Sequence, residues 1–193
     1  MIIRKAEFVT SVKDPEKYEN PNLPEIAISG KSNVGKSSLI NFITNHSKLA
    51  YTSKKPGKTR LINFFNINGE FFLVDLPGYG FSKASKDETT DWQGMMEGYF
   101  KKSTQLKGIL LLLDIRHDPS EDDLQMLHWA QYYSIPCAVL ATKADKIAKS
   151  KRKNVVEHMK KILGVGEIPM SFVSAQLKVG KEEALAIMEK FLQ

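Results

Sequence analysis

Short apolar runs alternate with longer amphipathic or polar stretches along the 193 residues. The apolar runs predict strands at Ala6–Val12, Glu25–Ser29, Leu61–Ile67, Glu70–Asp75, Gly108–Asp114, Pro136–Thr142 and Met170–Ser174. "GILLLLD" and "CAVLAT" lack polar alternation, the signature of a strand buried on both faces, so they imply a parallel sheet covered by helices. "LINFFNINGEFFLVD" differs, because Asn68-Gly69 between two apolar runs is a hairpin signal. Helical periodicity covers Lys36–Asn45, about Asp87–Lys102, Asp122–Tyr133, Lys151–Leu163 and Lys181–Leu192. Ser120 and Asp123 have the spacing of a capping box. The alternation predicts an α/β fold: a doubly wound, mostly parallel sheet with one antiparallel edge strand and helices on both faces. Ser47–Thr59 and Gly78–Lys86 have no clear period, and no repeat or low-complexity tract is present.

Between the second strand and the first helix stands "GKSNVGKS", comprising Gly30, Lys31, Ser32, Asn33, Val34, Gly35, Lys36 and Ser37, with Ser38 following. Gly, four residues, then Gly-Lys-Ser after a strand and before a helix is the P-loop pattern. Gly30 and Gly35 permit backbone angles that turn successive N–H groups inward, and the helix end adds about half a positive charge. Lys36 can reach β- and γ-phosphates, and Ser37 can ligate Mg²⁺.

Three further pieces follow in the order a nucleotide switch requires. In "DLPGYG", Asp75, Leu76, Pro77 and Gly78 end an apolar strand; Asp75 can hold Mg²⁺ through water, and the Gly78 N–H can meet a γ-phosphate. In "TKAD", comprising Thr142, Lys143, Ala144 and Asp145, the Asp145 carboxylate can accept from the ring N–H and amine of guanine. Adenine offers no such pair, and a site built on polar pairing can discriminate by roughly 10⁴ or more. Lys143 would lay its stem along the base. In "VSA", Val173, Ser174 and Ala175 could present a backbone N–H to guanine's carbonyl.

With these motifs the chain resembles the EngB/YihA (YsxC-type) ribosome-biogenesis GTPases, within the translation-factor-related, TrmE-Era-like superfamily. The resemblance is carried by "GKSNVGKSS", "KKPGKTR", "DLPGYGF", "TKADK", "LLLDIRHDP" and the "SA" at 174–175, and it spans nearly the whole chain. It implies a P-loop NTPase fold, one GTPase domain over residues 1–193 with a short extension over 1–23, and GTP/GDP and Mg²⁺ as ligands. It also implies a role in large ribosomal subunit assembly. It adds Gly57, Lys58 and Thr59 to the site, with Thr59 contacting Mg²⁺ and the γ-phosphate and acting with Lys36 and Gly78 in catalysis. Spacing alone does not choose Thr59 over Thr52. One departure matters: Tyr79 stands where many regulatory GTPases carry a water-orienting glutamine, so slow intrinsic hydrolysis is expected. Asn33 stands where potassium-activated relatives hold a cation, so K⁺ could spread transition-state charge there; equally, Asn33 is a loop residue that tolerates unusual backbone angles. Arg116 is expected to pair with Asp114 or Asp118 rather than reach phosphate.

Composition changes the picture in two ways. A formal charge of +6 and a pI of about 9.2 suit a polyanionic partner. The basic residues cluster at Lys143, Lys146, Lys149, Lys151, Arg152, Lys153, Lys160 and Lys161, and at Lys54, Lys55, Lys58 and Arg60. The expected partner is therefore ribosomal RNA or the large subunit, read by the GTPase domain's own surface. The single cysteine, Cys137, reads as a small buried side chain and suits a reducing cytoplasm. No apolar window of ~18 residues, signal peptide or lipidation cysteine is present, so no membrane is expected, and a monomer is. The scattered histidines form no zinc pattern. Competing readings are a nucleotide-gated RNA-binding module with incidental hydrolysis, a P-loop small-molecule kinase, which leaves "TKAD" unexplained, and a membrane-signalling GTPase.

Overall fold

The computed structural model describes residues 1–50, 61–80, 86–164 and 166–193. The strands are β1 (Ala6–Val12), β2 (Glu25–Gly30), β3 (Ile62–Ile67), β4 (Phe71–Asp75), β5 (Leu106–Asp114), β6 (Cys137–Thr142) and β7 (Met170–Phe172). The α-helices are α1 (Lys36–Ile43), α2 (Lys86–Lys102), α3 (Glu121–Tyr132), α4 (Arg152–Leu163) and α5 (Lys181–Leu192). All strands join one sheet in the order β1-β3-β4-β2-β5-β6-β7.

The sheet is mostly parallel because helices return the chain between β2, β5, β6 and β7. The reversal comes at the hairpin, where Asn68 and Gly69 take φ of 56° and 73°, angles a two-residue turn needs. β3 therefore runs against β4, and β1 pairs antiparallel to β3 on the outside. The continuous apolar runs are buried on both faces, with Ile109 to Leu112 at 0% exposure. One face packs on α1 and α5 through Leu39, Ile40, Ala184 and Met188. The other packs on α2, α3 and α4 through Trp92, Met96, Met126, Leu127, Val156 and Met159. The aromatic residues Phe64, Phe65, Phe71, Phe72, Tyr99 and Phe100 lie in this core.

Local chemistry sets the ends. Ser120 caps α3 in a full capping box with Asp123. Gly164, at φ 65°, closes α4. Two elements stop two residues short of the sequence expectation. α1 ends at Ile43 because Thr44 Oγ1 turns back to the Ile40 carbonyl at 2.7 Å and Asn45 enters the left-handed region. β7 ends at Phe172 because the Ser174 N–H pairs with the Val179 carbonyl at 3.1 Å instead of with β6.

Candidate nucleotide site

The ends of β2, β4, β5, β6 and β7 open on one side of the sheet, where the strand order reverses about β2. Ligands of doubly wound sheets bind at such a switch point. Gly30 ends β2 at φ 151°, and a Cβ there would lie 2.7 Å from the Leu112 carbonyl oxygen. No side chain fits between these strands. Asn33 takes φ 61°, and Gly35, at φ 114°, stands at the N-cap of α1 without a side-chain cap. Lys36, Ser37 and Ser38 form the first turn. Val34 is buried and anchors the loop, whose carbonyl accepts from Thr142 Oγ1 at 2.7 Å. The result is a backbone cradle with orphan N–H groups at a helix start, suited to an oligophosphate.

Asp75 ends β4 beside β2, in register with Ile28. Its Oδ1 is one of two buried side-chain polar atoms without a hydrogen-bond partner among the described residues. Burial raises the Asp75 pKa, opposed by the Lys36 charge and by a hydrogen bond with Asn63. A buried carboxylate oxygen without a partner fits a hard cation with oxygen ligands, so Asp75, together with the Ser37 hydroxyl at the start of α1, suits Mg²⁺. Leu76 is buried, its N–H on the Ile28 carbonyl at 3.0 Å. The Pro77 carbonyl accepts from Trp92 Nε1 at 3.0 Å. Gly78 abuts the cradle, where an added Cβ would lie 3.1 Å from Lys36 Nζ. Gly57, Lys58 and Thr59 lie outside the described residues, as do Thr52, Lys54, Lys55 and Arg60.

A cavity of about 230 Å³ unites distant parts of the chain: Gly35, Ser38, Thr142, Lys143, Asp145, Lys146, Val173, Ala175 and Gln176 line it. Asp145 is held facing it, Oδ1 accepting from Ser174 Oγ at 2.8 Å and Oδ2 pairing with Lys146 at 3.3 Å. Desolvation opposes its charge, but the bonds from Ser174 and Lys146 prevail and keep the carboxyl below its ordinary range. The Ala144 N–H joins the Val173 carbonyl at 3.2 Å, tying the two base-side loops together. Lys143, at φ 57°, reaches the Asn33 carbonyl at 2.8 Å and Asp114 Oδ2 at 2.9 Å. Its stem is thereby stretched along the cavity, as a platform for a planar base requires.

Arg116 pairs with Asp114, Nε at 2.9 Å and Nη2 at 2.7 Å, as expected. Partial burial works against ionisation of Asp114, yet hydrogen bonds from Arg116 and Lys143 outweigh it and hold the carboxyl well below the usual range. The basic surface is thinner than the sequence suggests. Arg152 is buried, donating to the Ile147 carbonyl at 3.1 Å with its guanidinium 5.8 Å from the Phe172 ring. Lys143 turns inward, and Lys160 pairs with Glu157. Lys146, Lys149, Lys151, Lys153 and Lys161 remain exposed. Sequence reasoning missed Asn63 and Trp92, which reach the site through sheet register and helix packing, and Gln176, which follows Ala175 in the chain.

A family model described as "50S ribosome-binding GTPase" matches residues 25–143, which contain the cradle, Asp75 and Lys143. The chain belongs to this GTPase family. It is 47% identical over 193 residues to a probable GTP-binding protein EngB of Pelotomaculum thermopropionicum, covering 100% of this chain and 98% of that protein. It is 46% identical over 185 residues to the counterpart of Desulfosudis oleivorans, covering 96% and 94%. Among solved structures, a probable GTP-binding protein engB superposes with a TM-score of 0.71 at 22% identity, covering 87% of this chain and 98% of that one. Era in complex with MgGDPNP and nucleotides 1506–1542 of 16S ribosomal RNA superposes at 0.67 with 24% identity, covering 88% of this chain and 56% of that one. At these identities the two structures support the fold. The family carries the activity: the chain binds guanine nucleotide and hydrolyses GTP, which sets the kinase reading aside. Among the described residues no helix is long and apolar enough to cross a membrane.

Proposed function

We propose that the chain is a GTP-driven switch in assembly of the large ribosomal subunit, a monomeric cytoplasmic protein with one GTPase domain over residues 1–193. One observation carries this reading. Lys149, Lys151 and Lys153 are exposed on the turn and first residues of α4, directly after the base-reading Asp145. A phosphate backbone bound there would sit against the element that senses guanine, so counterion release and nucleotide state would be coupled. The family model's description and Era's RNA-bound structure support an RNA partner of this kind.

Within the site, Lys36 and Gly78 would meet the γ-phosphate, and Ser37, Asp75 and Thr59 would hold Mg²⁺, which supplies charge neutralisation to the transferring phosphoryl group. Tyr79 lacks a carboxamide to orient water, so hydrolysis is slow without a partner, and K⁺ at Asn33 would accelerate it. Equal rates in K⁺ and Na⁺ buffers would remove the cation. The main test is co-sedimentation with large ribosomal subunits in GTP, GDP and no nucleotide, at two salt concentrations. Nucleotide-dependent, salt-sensitive association is expected, weakened by Lys151→Glu/Lys153→Glu. Association indifferent to both nucleotide and salt would defeat the proposal.

A further inference from the structure

The edge strand β1 carries an irregularity that bears on the cation site. Its first half is in phase with the apolar face that packs on α1: Phe8 lies opposite Phe65, the two rings 5.8 Å apart and edge-on. Side chains alternate along a strand, so a regular β1 would turn Thr10 to that face and Ser11 to the other. The pairing with β3 shifts between Phe8 and Thr10, with Val9 as the extra residue. A bulge of this kind re-aims the side chains that follow it. Ser11 therefore stands opposite Asn63, on the face it would otherwise leave.

The hairpin continues the row. Asn63 lies opposite Asp75 where β3 pairs with β4. Phe65 and Leu73, two positions from each, belong to the cluster that packs on α1, so Asn63 and Asp75 share the face of the helix that begins with Lys36 and Ser37. Ser11 Oγ donates to Asn63 Oδ1 at 2.6 Å, and the Asn63 amide is hydrogen-bonded to the Asp75 carboxyl. A carboxylate only accepts, so Asn63 must turn its NH₂ to Asp75, which leaves its oxygen for the Ser11 hydroxyl. Ser11 thus fixes the amide, and the amide fixes the carboxylate. Asp75 Oδ1 is left buried and without a partner among the described residues.

We propose that Ser11 and Asn63 are positioning residues for the cation that accompanies the nucleotide: the bulge at Val9 brings Ser11 into line with Asn63, and the pair aims the Asp75 carboxylate. The inference rests on the reading of Asp75 and Ser37 as the Mg²⁺ residues. The segment before β2, expected only as an extension, then supplies part of the site. Mg²⁺ demands near-ideal octahedral geometry, whereas Ca²⁺ accepts a flexible shell, so a loosened carboxylate penalises Mg²⁺ more. Groups that orient a metal's ligands are typically worth about 10–100-fold in metal affinity.

The test uses the full chain and a fluorescent form of guanylyl imidodiphosphate, a non-hydrolysable GTP analogue, titrated in EDTA and at rising Mg²⁺ or Ca²⁺. Asn63→Leu removes the amide at similar volume. The Mg²⁺ concentration that half-tightens the analogue should rise about 10–100-fold, with a smaller rise for Ca²⁺ and little change in EDTA. Ser11→Ala should move the Mg²⁺ midpoint in the same direction and Ser11→Thr, which keeps the hydroxyl, should restore it; this pair keeps the test independent of whether Asn63→Leu folds. An unmoved Mg²⁺ midpoint, an equal loss for Ca²⁺, a matching loss in EDTA, or Ser11→Thr behaving as Ser11→Ala would overturn the positioning role while leaving the site intact. Absence of any Mg²⁺ effect on the unaltered chain would overturn the assignment of Asp75 and Ser37 to the cation, and this role with it.

Discussion

Asp145→Asn is the perturbation whose size follows most directly from the geometry. The carboxylate lies at the rim of the 230 Å³ cavity with Oδ1 fixed by Ser174 Oγ at 2.8 Å. Each oxygen keeps a lone pair for guanine: one for the ring N–H, one for the exocyclic amine. An amide at this position keeps one acceptor and sets a donor against a donor. Hydrogen bonds to a charged group contribute about 1.5–3 kcal/mol each, so disrupting both costs about 3–6 kcal/mol, or roughly 10²–10⁴ in affinity. Xanthine replaces the amine with a carbonyl, which the new amide can meet, so xanthosine triphosphate should bind where GTP no longer does. Competition against a fluorescent guanine nucleotide measures both. The depressed Asp145 carboxyl adds a pH expectation: with its ionisation held below the ordinary carboxylate range, it should leave GTP affinity flat across neutral and mildly acidic pH. GTP affinity within threefold of the unaltered chain would refute the assignment of this carboxylate to the base.

Three further outcomes follow from the same geometry. Gly30→Ala forces a Cβ to 2.7 Å from the Leu112 oxygen and 2.9 Å from Val34 Cγ1, so calorimetry should show a Tm lower by several degrees, with nucleotide affinity reduced as the cradle shifts. Asp75→Asn should raise the Tm of nucleotide-free protein at neutral pH and abolish Mg²⁺-dependent tightening of GTP. The sign follows from linkage: the folded-state pKa of Asp75 is raised, so its ionisation removes stability as pH climbs from the ordinary carboxylate range through the folded value, and the amide escapes that cost. Cys137 is half-buried rather than buried, and desolvation pushes its thiol up to about 12, so it should react with a thiol-specific disulfide reagent at pH 8 much more slowly than in the denatured chain.

What the sequence revealed depended on how far apart the partners stood. The β5 run, the Asn68-Gly69 turn, the Ser120 cap and the Arg116–Asp114 pair all join residues within a few positions of each other, so their chemistry is visible in the string. The cradle was legible for the same reason. Asp145 could be singled out because its motif ends a strand, but the Ser174 hydroxyl that aims it comes from a different strand end. Asn63 reaches Asp75 through hairpin register, which the turn fixes and spacing alone does not. Arg152 looked like one more surface cation in a lysine-rich stretch. Its helical phase puts it on the same face as Val156 and Met159, and its stem and guanidinium pack inward. Tyr79 was readable as a departure from glutamine, whereas its hydrogen bond to Asp123 needed α3 to be placed against the loop.

The central claim is that the cradle at Gly30–Ser37 grips a triphosphate while Asp145 selects the purine. Its most direct test is titration of the full chain with a fluorescent GTP analogue in magnesium buffer, followed by challenge with excess unlabelled GTP or ATP. Saturable binding that GTP displaces and ATP leaves in place is the predicted result. An absence of saturable signal, or displacement by ATP as readily as by GTP, would contradict it.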